Sequence, residues 1–294
     1  MTEVAFPRRG GTLVELLIAL PIAVLLAAAA AATLIGAWRL VRRVESSQGS
    51  LRELRHAQAV FEAELRPLQA RDIHALADTA VEFDALLGTG VVCASAAGSS
   101  DRIDIAAADP TDARGVSWAS GVQAGDALAF WRVDRDSLAA LIEQRTTVRE
   151  IRWEAGCAAS PWMAAWADQR TVRFTGASAS PSGVVVGAPV ALRRRTRLSL
   201  YRSGAAWYLG RRAQTRGVWD GIQPVAGPFL SPAQGGMRMQ PLDAAGAVAS
   251  SATDAAAVRI ELRADRAPSG REAPRRDTAR FDVVLRAESA QRRR

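Results

Sequence analysis

Hydrophobic and polar positions follow three different regimes along this chain. The first is an apolar block: Leu16 to Ile35 is twenty residues in which only Thr33 carries a polar side chain. At about 1.5 Å per residue, a helix of that length covers about 30 Å, the thickness of a bilayer's hydrocarbon core. Pro21 would break most soluble helices but is tolerated better inside a membrane. The second regime is amphipathic. Leu51, Leu54, Phe61, Leu65 and Leu68 fall on one helical stripe, with Arg52, Glu53, Arg55, Glu62 and Arg66 facing elsewhere. Gly49, between Ser47 and Ser50, is expected to loosen the helix locally, and Pro67 to end it near residue 66. An unbroken helix from Thr12 to Arg66 would run about 80 Å.

From about residue 80 the period changes to two. Arg102–Ile105, Ala127–Val133, Val148–Trp153, Arg195–Tyr201, Val258–Leu262 and Phe281–Leu285 read as strands of an antiparallel sheet with one wet face. Ser203-Gly204 is expected to turn the chain back into a Trp207-Tyr208-Leu209 strand. One short helix is expected at Ser137–Gln144, capped by Asp136 or Ser137. Ala177–Gly183, Ala244–Ala256 and Ala264–Asp277 read as loops. The expected fold class is therefore α+β: a long N-terminal helix, with a membrane half and an amphipathic half, carrying a mostly antiparallel β head domain.

One residue makes the apolar block unusual. Glu15 lies immediately before it, after a short leader holding Arg8 and Arg9. An ionised carboxylate near hydrocarbon costs up to about 3 kcal/mol, less at the interface. Neither a plain signal anchor nor an ordinary secretory signal, cleaved near Ala27–Ala32, gains anything from it. The block is also longer than the usual apolar core of a secretory signal.

The residues Gly10-Gly11-Thr12-Leu13-Val14-Glu15, behind Arg8-Arg9, resemble the prepilin signal of type IV pilins and type II secretion pseudopilins. That resemblance implies cleavage by a prepilin peptidase between Gly10 and Gly11, N-methylation of Gly11, and an assembly role for Glu15. In the family the new amine lies near the glutamate of a neighbouring subunit, and opposite charges at close range offset each other's burial. Arg8, Arg9, Thr12 and Leu13 are the leader-recognition positions it implies. Gly11 stands where the family has Phe or Met. Successive glycines leave an uncluttered backbone for a peptidase. Glu15 also has a smaller reading, as a carboxylate favoured by the helix dipole. The arginines beyond the block, Arg39, Arg42 and Arg43, outnumber those of the leader, so the positive-inside rule alone points the other way.

The resemblance implies a division into a leader (1–10), a transmembrane or filament-core helix (11–38), an amphipathic helix (39–71) and a β-rich periplasmic head (80–294). A second, looser resemblance covers Leu198–Leu262. There a Leu-Ser-Leu-Tyr-Arg strand, a Trp-Tyr-Leu strand, Met239-Gln240-Pro241-Leu242-Asp243-Ala244-Ala245-Gly246 and Val258-Arg259-Ile260-Glu261-Leu262 resemble the C-terminal half of PilW-like and GspJ-like minor pilins. Together they imply a minor pilin or pseudopilin that helps initiate or cap a filament. It would sit in the inner membrane with its head exported, and its partners would be other pilin subunits and the prepilin peptidase. The competing expectation is a secreted or membrane-anchored periplasmic binding domain with an ordinary signal.

Composition changes this picture little. Apolar residues at 49% and charged residues at 23% fit a folded domain. The net charge of +8 comes entirely from arginine, since the chain has no lysine. That bias weakens any argument from a single Arg. Cys93 and Cys157 would be allowed to pair in an oxidising compartment. A bridge would close a loop of about 65 residues, worth about 4 kcal/mol in the chain-entropy model; two buried thiols are the other reading.

No catalytic constellation stands out, and no cofactor or metal is implied. His56 and His74 lie in or near the amphipathic helix without a partner at metal spacing. The pairs Asp101/Asp104, Asp109/Asp112 and Asp134/Asp136 lack the ligand density of a calcium loop. The run Arg193-Arg194-Arg195-x-Arg197, near Tyr201, Trp207, Tyr208, Arg211 and Arg212, resembles a basic patch with aromatics. It reads either as a solvated strand face or as a nucleic-acid surface, which would make the protein a DNA-binding pilus-tip subunit.

Overall fold

The computed structural model describes residues 13–95, 102–106, 121–133, 141–155, 170–176, 186–265 and 276–286. The fold is α+β: one N-terminal helix, α1 (Leu13–Leu65), followed by an antiparallel β domain. The helix is continuous for 53 residues, through both Pro21 and Gly49. It stops two residues before Pro67, and a 3-10 turn at Ala70–Asp72 leads into the first strand.

Thirteen strands are described: β1 (Ile73–Ala77), β2 (Ala80–Ser95), β3 (Arg102–Ala106), β4 (Ala127–Val133), β5 (Leu141–Ala155), β6 (Arg170–Gly176), β7 (Pro189–Ser203), β8 (Ala206–Thr215), β9 (Val218–Trp219), β10 (Gln223–Phe229), β11 (Met237–Leu242), β12 (Ala257–Asp265) and β13 (Arg276–Val284). Strands β2 and β7 pair from Ala80–Ser199 to Val91–Pro189, and each serves two parts of one ten-stranded sheet. On its other edge β2 pairs first with β1 and then with β3. The other edge of β7 pairs first with β4 and then with β8. The order β2-β3-β6-β5-β4-β7 therefore closes on itself as a ring of six antiparallel strands. Closure removes the free edges of that part of the sheet. The other halves of β2 and β7 continue as an open sheet, β1-β2-β7-β8-β10.

Two cores follow. Leu87, Val92, Ile105, Leu128, Phe130, Val148, Val190 and Leu192 form one cluster, on the strands of the ring. In the larger core, Val81, Phe83, Leu198, Leu200 and Leu209 of the open sheet meet Leu54, Phe61, Leu65 and Leu68. A second sheet, β11-β12-β13, adds Met237, Met239, Val258, Ile260, Leu262 and Val283 to the same core. The Phe61 and Phe281 rings lie 6.3 Å apart, centroid to centroid. Alternate residues of one strand serve both cores: Val81, Phe83 and Ala85 pack with the helix, and Leu87, beside a register shift at Leu86/Gly88, joins the ring.

Several expectations need correction. Leu141–Gln144 is not helical: it opens β5, with Gln144 opposite Phe130. Its β-branched continuation, Thr146-Thr147-Val148, is paired with β4 and β6, and those ladders override a weak local helix preference. Residues 137–140 lie outside the described set. The helix ends at Leu65, close to the end expected near residue 66, so the 39–71 division overran it, and strands begin at Ile73 rather than 80. In the expected loop 264–277, β12 continues to Asp265 and β13 starts at Arg276; 266–275, like the expected loop 177–183, lies outside the described residues. Ala244–Ala256 holds one short 3-10 turn, Ala252–Asp254. The turn after β11 is built by Asp243, whose Oδ1 accepts from the Ala245 and Ala247 amides at 2.9 Å. Gly246 there has φ +80°, which favours glycine.

Candidate functional site

The two halves of α1 face different surroundings. Glu15–Trp38 is 24 residues long with a mean hydropathy of 2.5, and none of its most apolar window is buried against the rest of the chain. This helix is long and apolar enough to cross a membrane. Leu16, Leu20, Leu25, Leu26 and Leu34 are exposed, and moving each such side chain out of water gains about 1.5–3 kcal/mol. Thr33, the one polar group in the block, donates its hydroxyl to the Ala30 carbonyl at 2.8 Å. Glu15 lies in the first turn. Gly10, Gly11, Arg8, Arg9 and Thr12 lie outside the described residues; Leu13 opens the helix.

The second half of α1 is fixed to the head. Leu54, Ala57, Phe61 and Leu65 are buried, while Leu51, expected on the same stripe, stays exposed. Glu53 accepts from the Gly227 amide at 3.1 Å, and Glu64 from Arg211 at 2.8 Å. Ser50 donates to Asp277, tying the helix to β13. Just beyond the helix, the Leu68 carbonyl accepts from the Arg286 amide at 2.7 Å.

Where the chain leaves the helix, a buried charge network joins it to the ring. Asp72 is fully buried in the 3-10 turn. Its carboxylate accepts from the Gln69 amide at 2.8 Å, from Arg193 of β7 at 2.9 Å and from Arg145 of β5 at 2.5 Å. Arg145 also reaches Glu143 at 3.0 Å, and Glu143 accepts from Arg71. Asp84 of β2 completes the group, with His74 Nε2 at 2.9 Å and Arg145 Nη1 at 3.8 Å. Burial is the largest influence on Arg193 and pulls its pKa below the ordinary arginine value, against the attraction of Asp72. Burial also opposes the Arg145 charge, but its hydrogen bonds and attraction to Asp72 and Glu143 outweigh that and raise its pKa. A second pair is buried nearby: Arg194 donates to both oxygens of Asp126, at 2.7 and 2.8 Å, and to the Gly121 carbonyl at 2.7 Å. The Asp126 hydrogen bond is the main reason the Arg194 pKa is raised.

The four arginines expected as one basic patch are thus divided. Arg193 and Arg194 are buried on internal carboxylates and offer nothing to a phosphate backbone. Arg195 and Arg197 stay partly exposed, on the same face of β7 as Arg193 and opposite to Arg194, beside Glu82 at 3.9 and 2.8 Å. His56 is exposed on the helix, and His74 is on β1. Cys93 lies on β2, but Cys157, and with it any bridge, lies outside the described residues. So do Asp101, Asp109, Asp112, Asp134 and Asp136. Among the described residues, no group of three His, Cys, Asp or Glu side chains is placed to hold a metal ion. Nothing local in the sequence marks Asp72 and Asp126, the anchors of the two buried networks, because their arginine partners lie far along the chain.

No family model matches this chain, and no curated protein or solved structure matches it either.

Proposed function

We propose that this chain is a minor pilin or pseudopilin, a non-catalytic subunit that helps initiate or cap a type IV pilus or a type II secretion pseudopilus. The observation that carries the reading is the division of one continuous helix. Its first half is apolar and uncovered, and its second half is built into a β head. The first half needs lipid or other helices around it, while the second keeps the head at a fixed place on the same rod. This is the arrangement implied by the prepilin-like residues Gly10 to Glu15, and the PilW-like and GspJ-like resemblance of Leu198–Leu262 agrees with it. In this reading the head is exported across the inner membrane, the leader is removed by prepilin peptidase, and Glu15 meets the amine of Gly11 on a neighbouring subunit.

Mass spectrometry of the mature N-terminus tests the proposal. A chain beginning at Gly11, with or without a methyl group, supports it. A chain beginning near Ala32 or Thr33 overturns it in favour of a secreted protein, and an intact leader overturns it in favour of a plain anchor. Glu15→Ala is expected to leave membrane insertion intact and to block incorporation into filaments. Normal incorporation would remove the amine-pairing role.

A further inference from the structure

The division of the arginines leaves one surface unaccounted for: the outer face of the β7–β8 ribbon, turned away from the helix. Arg195, Arg197 and Tyr201 of β7 lie on it, with Tyr208 and Arg212 of β8 and Trp219 of β9. Arg197 stands directly opposite Arg212 in the ladder, and Tyr201 directly opposite Tyr208. Like charges in that relation destabilise an antiparallel pair. Glu82 serves both Arg197 and Arg195. Asp84, further along the face, is held by His74 and Arg145. Among the described residues no carboxylate lies within ion-pair distance of Arg212, whose guanidinium sits 4.8 Å from the centre of the Trp219 ring.

Aromatic side chains flank these cations: the two tyrosines on one side along the ribbon, and Trp219, opposite Gln214, on the other. The Tyr201 and Tyr208 rings are 6.2 Å apart and tilted by 42°. Gly210 lets them settle: a Cβ there would come within 2.6 Å of the Tyr201 ring and 2.4 Å of Ile222 Cγ2. Tyr201, Tyr208, Arg212 and Trp219 are all partly exposed.

We propose that this face binds single-stranded nucleic acid. Three guanidiniums against Glu82, with Asp84 opposite Arg195 already engaged by His74 and Arg145, suit a chain of phosphates. The Tyr and Trp rings and the Arg212 plane suit stacked bases, which only an unpaired strand presents. An acidic peptide would meet the cations but leave the rings unused, and a duplex would use the phosphate contacts alone. The inference stands apart from the filament reading, because the face belongs to the head and makes no use of the apolar helix.

The test is fluorescence anisotropy of a labelled oligothymidylate with the full-length chain in nonionic detergent, at low and at physiological salt. Saturable binding that weakens as salt rises is expected. Arg197→Gln and Arg212→Gln should each weaken it and flatten the salt dependence, and Trp219→Leu and Tyr208→Leu should each weaken it about tenfold. Arg259→Gln, on the outer face of the second sheet, should bind like the parent. Each variant's thermal melt is taken alongside, and Arg195→Gln, at the margin of the face, gives a second cationic probe if one of the others melts early. Absence of saturable binding overturns the proposal. So does equal weakening by Arg259→Gln, which would mean diffuse basicity. Parent-like binding by both aromatic variants, together with competition by polyglutamate, reassigns the face to an acidic protein partner.

Discussion

Asp72 is the most sensitive single position for the integrity of the head. Asp72→Asn keeps the shape and an oxygen that can accept from the Gln69 amide, but removes the charge. Its two partners are affected unequally. The Arg145 side chain is 28% exposed and retains Glu143, so water and the second carboxylate take up much of the loss. The Arg193 side chain is 9% exposed. The oxygen that Asn keeps on the Gln69 amide is also the one Arg193 donates to, so Arg193 retains a neutral acceptor but loses the one carboxylate within ion-pair distance of it among the described residues. Breaking a buried pair from one side costs about 3–5 kcal/mol, because the remaining charge is left in a medium that cannot solvate it.

For a domain of this size each kcal/mol lowers the melting temperature by about 2–4 °C, so Asp72→Asn should melt about 6–20 °C early. The assay is a thermal melt of the full-length chain in detergent, followed by tryptophan fluorescence. The double variant Asp72→Asn/Arg193→Met should recover most of the loss, since it removes the stranded cation along with its partner. A single variant melting within about 2 °C of the parent would refute the reasoning, because the network would then contribute no more than an exposed ion pair.

Three further outcomes follow from other parts of the head. Phe61→Ala, at a fully buried ring of the larger core beside Phe281, should cost about 3–5 kcal/mol in urea unfolding; a shift below about 1 kcal/mol would mean that the helix is not packed there. Gly236→Ala would place a Cβ 1.8 Å from the Leu230 carbonyl oxygen and should abolish recovery of folded protein in detergent, whereas Gly246→Ala, with nothing within 4 Å but φ +80°, should cost only about 1 kcal/mol on the same unfolding curve. Asp282 is held below its ordinary carboxylate value of 3.8, first by the Arg259 hydrogen bond. The depressed pKa means its small contribution is present above that ordinary value and lost as pH falls through the lower folded one; an NMR titration should show the midpoint rising in Arg259→Gln, and no change would remove the pairing.

The helix was readable because its signals are local. A membrane-length apolar run, a stripe at helical spacing and Pro67 each report on neighbours a few residues away, and α1 does end at Leu65. Most alternating segments became strands for the same reason. The closed ring was not readable, since closure depends on β2 and β7 changing partners halfway along, and nothing in their period records which strand lies beside them. The buried networks were hidden by distance: Arg193 finds Asp72 across 121 positions, and Arg194 finds Asp126 across 68.

One signal for Arg194 was nevertheless present. It shares strand parity with Val190, Leu192, Leu198 and Leu200, all buried. A cation on an apolar face must find a carboxylate or leave the core, so Arg194 was the arginine to doubt as a surface residue. The opposite parity carries Arg195, Arg197 and Tyr201 to the outer face. Arg193 shares that parity but lies where the Ala70–Asp72 turn and Asp72 cover it. The Arg run is therefore two populations set by alternation and by that turn. Arg193 anchors the head to the turn after its helix and Arg194 is buried on Asp126, while Arg195 and Arg197 are left facing outward, Arg197 in the one like-charge pair described in the β7–β8 ladder.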